Sequence, residues 1–454
     1  MLQVFITKYG LAAHLAFLVV APLFLNPSAV IWLTALCAIW FLMGPSRIGR
    51  ETLHEARARV AGATARDPLF WTLAALVAVA GIRFANGGVA LAYDAEKAVW
   101  SVTYPSFRLL PGSVDGAGFE GFSCAAAILV AVTAVRHALG RSARFAFLFA
   151  AAAMSGVLAA TLAILYAMGS ESAAEAVRCS IEKPSYSGAA FGVYLCCGLS
   201  GLLAAFEHRW LKAMPLAFFA VGANALGLFV FAPPFVQCLF AAAALVAVGL
   251  AFAYARIRMP AGSEFKYLAV CGLLFAFAAA TVGAILPPAV LEARLAPYTT
   301  GEFLPPAMLA ARKALASVSL EIWKSNPWFG GGLGSFPLEL GYFARPEDWK
   351  AISPVQTAPL GAHWMILSER GVVGAFCIAA PVVLLLVDYF RNLATGVRAG
   401  FPHPAAWSGV LVFAAAVAES MIAVSFLSPG MMTAAAAVLA VSANAFPKRR
   451  SRNG

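Results

Sequence analysis

Charged residues are scarce in this 454-residue chain, which is 12% charged and 62% hydrophobic and has a mean hydropathy of +0.82. Soluble domains carry roughly 25% charged and 45–50% apolar residues, so this composition excludes a soluble enzyme. Acidic residues are the scarcest charges, because 21 Asp and Glu stand against 32 Lys and Arg and leave a net charge of +11. Such an excess indicates either nucleic-acid binding or a membrane protein whose basic residues collect on one side.

Cysteine and metal-ligand patterns are also lacking. Of eight cysteines, only Cys179 lies outside the apolar runs, so the chain has no disulfide framework. It has no metal-ligand constellation and no Ser-His-Asp order. The glycine run at 330–334 lacks the Lys-Ser/Thr pair of a phosphate-binding P-loop. The sequence therefore predicts a protein without a metal or another cofactor.

Long apolar runs are what the sequence has in abundance. A hydrocarbon core about 30 Å thick needs roughly 20 apolar residues per helix. Twelve runs approach that length: 9–25, 29–43, 69–85, 119–135, 145–168, 188–206, 213–231, 235–255, 267–286, 361–387, 405–427 and 430–446. The predicted fold is an all-α polytopic membrane protein with about twelve transmembrane helices.

The basic residues sort by side of this predicted bundle. With both termini in the cytoplasm, 20 of the 32 Lys and Arg fall in inner segments and five in the short outer segments. Positive residues favour the cytoplasmic side, so the bias predicts this orientation and explains the charge without nucleic acid. Three regions follow: helices one to nine in 1–286, a large outer loop in 287–360, and helices ten to twelve with a basic tail in 361–454.

The large outer loop contains an amphipathic pattern. Its apolar residues recur at helical spacing, at Met308, Ala311, Leu315, Val318 and Ile322. The spacing predicts a helix that lies at the membrane interface or packs on the bundle. Loops of this length are usually functional when they are ordered.

Few titratable groups fall on the predicted outer face. His363 is the only one of six histidines placed there, where it is either a general base or an interfacial residue anchoring a helix end beside Trp364. Guanidinium groups recognise phosphate through paired donors, although each one alone is equally consistent with a solvated charge. The outer arginines considered are Arg178, Arg294, Arg312 and Arg370.

Two carboxylates complete the candidates. Glu369 precedes Arg370, which lies seven residues after His363 and so on nearly the same helical face. Glu419 lies inside the eleventh run, where a carboxylate is either functional or part of a hydrogen-bonded pair within the bundle.

Two stretches resemble a known family. Arg312, the turn Asn326-Pro327-Trp328-Phe329-Gly330 and the following Gly332-Leu333-Gly334-Ser335-Phe336 resemble the signature of the O-antigen ligase and O-antigen polymerase superfamily. Ala362-His363-Trp364 and the Glu369-to-Gly374 block are similar to the family's Ala-His-Asn and Glu-x-Gly-x-x-Gly segments. A third, shorter similarity covers 178–189.

The resemblance implies a GT-C-like glycosyltransferase of the bacterial inner membrane. Such enzymes take a glycan from undecaprenyl diphosphate at the periplasmic face and pass it to a glycan or lipid A-core acceptor, without a metal. Carried over by position, His363 is the base, Arg312 contacts the diphosphate and Glu369 orients the helix start. The family's Ser-Arg-Gly is replaced by Ala232-Pro233-Pro234, so a second phosphate contact must come from Arg178, or otherwise from Arg294 or Arg370.

A different class of protein is also compatible with the sequence, namely a polytopic transporter or lipid-linked glycan flippase that makes no new bond. Glu419 favours this alternative. A symmetric transporter more often places its main connection between two six-helix halves, whereas this chain places one long loop after nine predicted helices.

Overall fold

The structure is a computed structural model that describes residues 2–43, 53–94, 99–103, 112–114, 116–170, 188–207, 214–258, 263–301, 306–352, 361–398, 404–421 and 428–444. Its helices are α1 (Leu2–Val20), α2 (Pro27–Met43), α3 (Leu53–Ala65), α4 (Pro68–Ala85), α5 (Ala117–His137), α6 (Arg141–Ala167), α7 (Gly188–Glu207), α8 (Met214–Phe231), α9 (Pro234–Arg258), α10 (Ser263–Ile285), α11 (Pro288–Thr300), α12 (Pro306–Ser325), α13 (Phe336–Phe343), α14 (Pro346–Trp349), α15 (Ala362–Arg398), α16 (Pro404–Ser420) and α17 (Pro429–Ala443). Two strands, β1 (Ala90–Asp94) and β2 (Val99–Thr103), lie between α4 and α5.

The helices have the composition of a multi-pass membrane protein. In the described part of the chain, six are long and apolar enough to cross a membrane, and six shorter apolar helices accompany them. The six long ones are Pro68–Ala85, Ala117–His137, Ala143–Ala167, Pro234–Tyr254, Leu268–Ile285 and Ala362–Ala394. Each predicted apolar run coincides with one of the twelve, and the helical membrane class is confirmed.

A short hairpin adds to that helical plan. β1 and β2 pair antiparallel, with Leu91 opposite Val102 and Tyr93 opposite Trp100. Aromatic and β-branched residues favour strands, and both types are present here. The short outer segment between the third and fourth predicted helices (86–118) therefore contains, in its described residues, regular structure that the helical periodicity did not indicate.

The centre of the bundle is packed through small residues. A Cβ on Gly156 of α6 would lie 3.3 Å from Ala220 Cα and from Ala223 Cβ of α8, so the two helices cross closely. Ser155 donates to Asn224 at 2.7 Å, and the Asn224 amide donates to carbonyls of both helices. Small side chains and buried hydrogen bonds are the usual means of helix association in a membrane.

A polar cluster lies where α4 begins and α5 ends. Asp67 caps α4 by accepting from Leu69 N at 3.1 Å. The same carboxylate pairs with Arg136 at 2.5 Å and with His137 at 2.8 Å. Arg136 also pairs with Asp388 of α15. This cluster joins three long helices at the end of α4 remote from the candidate site.

The loop between α10 and α15 has a small core of its own. The predicted amphipathic helix forms as α12, and its apolar face buries Leu315, Val318 and Ile322 against Phe336 and Leu340 of α13. This face is therefore covered by protein, and α12 also packs against α15. Burial of the apolar stripe fixes α12 over the end of α15 where the candidate site begins.

Candidate functional site

The glycine-rich turn (residues 326–336) is inserted into a break in α15. Gly371 adopts φ 64° and ψ −170°, which interrupts the helix. The main-chain groups freed by this break pair with the turn through Gly331 N to Ser368 O (2.8 Å), Gly332 N to Glu369 O (3.0 Å), Val372 N to Pro327 O (3.0 Å) and Val373 N to Trp328 O (3.0 Å). The two sequence segments that carry the family resemblance are thereby joined along their backbones.

Arg83, in the last turn of α4, hydrogen-bonds to the backbone of both the turn and α15. Its guanidinium donates to Glu369 O at 3.1 Å, Phe329 O at 2.9 Å and Arg370 O at 3.1 Å. The side chain is only 2% exposed. Arg83 is one of the five basic residues assigned above to the short outer segments and was not predicted to have a role in the site, although an arginine inside an apolar run is a functional candidate by default.

The short outer segment also binds the turn. Leu333 N donates to Gly112 O at 3.2 Å, and Val114 N donates to Leu333 O at 2.8 Å. Ser113 O in turn accepts from Gly88 N at 3.1 Å and Val89 N at 3.3 Å. Residues 112–114 thus connect the glycine-rich turn to residues 88 and 89 through backbone hydrogen bonds.

His363 and Arg312 meet at the end of α16. Arg312 Nη2 donates to the carbonyl oxygen of Met421, and its charge acts on the His363 imidazole. The imidazole lies against the backbone of Ser420, and its Nδ1 is buried without a hydrogen-bond partner among the described residues. The structure therefore brings an imidazole from α15 and a guanidinium from α12 to the backbone of Ser420-Met421.

Local backbone and ring contacts set the position of the histidine. Gly361 leaves room for the ring, because a Cβ there would lie 2.9 Å from His363 Cε1. The Trp364 ring centroid lies 5.2 Å from that of His363. Glu419, fully buried, directly precedes Ser420 in the chain, so the second candidate carboxylate belongs to the same segment of α16.

Glu369 is directed at the glycine-rich turn. It is 2% exposed, and its Oε1 accepts from Phe336 N at 3.5 Å. This contact makes Glu369 a positioning residue for the turn where α13 begins. Glu369 therefore binds the glycine-rich turn through a side chain of α15, and Arg83 binds the same turn through a side chain of α4.

Arg370 points into a different space from His363. It lines a chamber of about 470 Å³ beneath the turn, between α4, α5, α15 and the start of α17, and His363 is absent from this lining. The helical spacing predicted nearly one face for the two residues. The break at Gly371 comes after both residues, so the seven-residue spacing between His363 and Arg370 lies within the helical part of α15, and their shared face stays a prediction.

The remaining arginines lie elsewhere. Arg294 of α11 donates to the carbonyl oxygen of Val230 at the end of α8 and is 8% exposed. Burial lowers the pKa of its guanidinium below the usual value, although Tyr166 and Tyr298 oppose the shift. Its partner carbonyl is on α8, and the interacting Tyr166 is on α6. Arg178 lies outside the described residues.

Among the described residues, no group of three His, Cys, Asp or Glu side chains is placed to hold a metal ion. The arrangement instead offers an imidazole and a guanidinium at the Ser420-Met421 backbone. No protein-family model matches the chain, and no curated protein matches it.

Proposed function

We propose that this chain is a glycosyltransferase of the O-antigen ligase and polymerase type. It would take a glycan from undecaprenyl diphosphate at the periplasmic face of the bacterial inner membrane and attach it to a glycan or lipid A-core acceptor. In this proposal all twelve apolar helices cross the membrane and both termini are cytoplasmic.

The observation that carries the proposal is the meeting of His363 and Arg312. The residues belong to separate motifs, and α12 and α15 bring them to the same carbonyl segment, Ser420-Met421. Their pairing supports a joint role because base and cation are the two groups that transfer from a lipid diphosphate needs.

The proposed reaction is an inverting displacement. The acceptor hydroxyl oxygen attacks the anomeric carbon of the donor, and His363 accepts the hydroxyl proton. The bond between that carbon and the phosphate oxygen breaks, and the electron pair leaves with the lipid diphosphate. Arg312 stabilises this departing charge, since a guanidinium keeps donors free after one of them binds the Met421 carbonyl.

A second cation would hold the rest of the diphosphate. Arg178 is the first candidate, while the contacts of Arg294 tie it to α8. Arg370 faces the chamber beneath the turn, which makes it a less direct partner for a substrate bound at His363.

The deciding experiment is turnover by the purified full-length chain in lipid nanodiscs with an undecaprenyl-diphosphate oligosaccharide and a glycan acceptor. We expect a longer glycan and free lipid diphosphate, both measured by mass spectrometry. In parallel, proteoliposomes report whether the same lipid changes leaflet. Movement of the lipid without any new glycosidic bond would replace this proposal by the flippase alternative.

A further inference from the structure

The chamber beneath the glycine-rich turn has features that the glycosyl-transfer proposal does not use. Its walls come from the ends of α4, α5 and α15, the start of α17 and Leu333-Gly334 of the turn. Two arginines and two glutamates line it: Arg83, Arg370, Glu120 and Glu369. Arg83 is occupied by three backbone carbonyls and Glu369 by the turn.

The other two charges are available. Among the described residues, neither the Arg370 guanidinium nor the Glu120 carboxylate has a hydrogen bond or an ion pair. Glu120 lies at the exposed rim of the chamber, in the first turn of α5. Both charges act on Cys124, one helical turn further along α5. The Arg370 guanidinium and the Glu120 carboxylate thus line the same chamber, and among the described residues they form no ion pair with each other.

An apolar cavity continues from the chamber into the bundle. It has a volume of about 50 Å³ and lies between α4, α5, α15 and α17, with Ile128, Pro381 and Leu439 in its walls. Leu76 and Met432 line both spaces. Along α5 the order is therefore apolar slot, Cys124 beside Arg370, then Glu120 at the rim.

We infer that the chamber binds the headgroup of a zwitterionic phospholipid with a primary amine, with the phosphate on Arg370 and the ammonium on Glu120. The order from the apolar slot through Arg370 to Glu120 at the rim matches the order of glyceride, phosphate and ammonium in phosphatidylethanolamine. A guanidinium binds phosphate through paired donors, and a carboxylate binds an ammonium through charge-assisted hydrogen bonds.

Charge complementarity favours this lipid over others. Phosphatidylglycerol and polyprenyl phosphates carry negative charge without a cation, so Glu120 opposes them. Phosphatidylcholine carries a cation without N–H donors, so it cannot hydrogen-bond that carboxylate. The proposal uses neither His363 nor Arg312 and therefore stands apart from the proposed transfer reaction.

The test is lipid retention by the purified, delipidated full-length chain. Mass spectrometry of the intact protein would measure its binding of phosphatidylethanolamine, phosphatidylcholine and phosphatidylglycerol, each added alone. We expect phosphatidylethanolamine to bind at least about tenfold more tightly than the others, as one charge-assisted contact allows. Equal binding of phosphatidylglycerol by the unsubstituted chain would overturn the proposal without any variant.

Variants then assign the two contacts. We expect Glu120→Gln to lose the preference for phosphatidylethanolamine over phosphatidylglycerol, and Arg370→Gln to weaken the binding of phosphatidylethanolamine about tenfold. The matched controls are Arg345→Gln and Glu347→Gln, which alter an exposed pair on α14 and should bind as the unsubstituted chain does. Arg370→Lys keeps the charge if Arg370→Gln fails to fold. Unchanged selectivity in folded Glu120→Gln would overturn the assignment of the ammonium site.

Discussion

Gly330 and Gly371 lie backbone against backbone where the glycine-rich turn enters α15. A Cβ built on Gly371 would be 2.6 Å from Gly330 N and 2.5 Å from Trp328 O. A Cβ built on Gly330 would be 2.5 Å from Arg370 N. Both residues also adopt positive φ, of 72° and 64°, which other residues rarely do. The close approach of the turn and α15 therefore requires a residue without a side chain at both positions.

Alanine at either position should separate the turn from α15. For Gly371→Ala and Gly330→Ala we expect a loss of several kcal/mol, because strain at positive φ costs about 1–3 kcal/mol and a backbone clash adds to it. Thermal unfolding in detergent and protease sensitivity of the 306–352 loop would measure this. Gly341→Ala is the matched control, since it lies in α13 with open space around its Cβ position and should be neutral or slightly stabilising.

His363→Ala and Arg312→Ala should each reduce glycan transfer while leaving folding intact. Loss of a general base typically costs 10²–10⁴-fold and loss of one oxyanion-type donor roughly 10²–10³-fold. A glycan-length or ligation assay at matched protein levels measures both. Lys313→Ala, exposed on the same helix, is the control.

Arg312→Lys separates packing from chemistry. A lysine still donates to the Met421 carbonyl but lacks the two-pronged geometry for phosphate. We expect normal thermal stability with only partial recovery of transfer. Full activity in the lysine variant would show that Arg312 serves α16 rather than the substrate.

The ionisation of Asp67 should make the thermal stability of the protein depend on pH. Burial alone would raise the pKa of this carboxyl, but the hydrogen bond from His137 and the charge of Arg136 bring the pKa below its ordinary value. A group with a lowered pKa in the folded state stabilises it above about pH 4, and this contribution disappears as the pH falls through the folded pKa. The gap in Tm between the unsubstituted chain and Asp67→Asn should thus shrink between pH 5 and 3. A gap that stays constant would contradict the linkage.

The outer position of the loop is open to a labelling test. Glu347 is 74% exposed on α14 and suits a cysteine probe. We expect a membrane-impermeant maleimide to label Glu347→Cys in spheroplasts and Arg256→Cys, exposed on α9, only after lysis. The unsubstituted chain gives the background of the native cysteines. The reverse pattern would invert the predicted orientation.

Transfer should survive chelation. The described residues include no three-ligand group of His, Cys, Asp or Glu, and cationic side chains can stabilise a departing diphosphate without a metal. We expect the same rate of glycan transfer with and without EDTA. Loss of activity that Mg²⁺ or Mn²⁺ restores would require a carboxylate-bound metal in the mechanism.

The helices were predictable because apolar length alone determines a membrane-spanning segment, and the predicted runs coincide with observed helices. The helix α12 of the loop was equally predictable from the sequence, since Leu315, Val318 and Ile322 share one face and are all buried. Periodicity gave these elements because each depends on residues close together in the chain.

The site was harder to predict from the sequence, because it depends on contacts between residues far apart in the chain. The break at Gly371 exists because a turn 40 residues earlier supplies its hydrogen bonds, and no local pattern shows that exchange. Glu120 belongs to no recognised sequence motif, and only the structure shows that it lines the chamber.

Arg83 also has a consequence for biosynthesis. Its acceptors on Phe329 and Arg370 lie 246 and 287 residues further along the chain. At a translation rate of about 5–20 residues per second, roughly 12–60 s pass between the synthesis of this arginine and that of its partners. During that interval a charged group at the end of α4 must remain hydrated or be held by another protein. Because the acceptors of Arg83 are synthesised so late, we expect either that α4 inserts slowly or that another protein binds it during this interval.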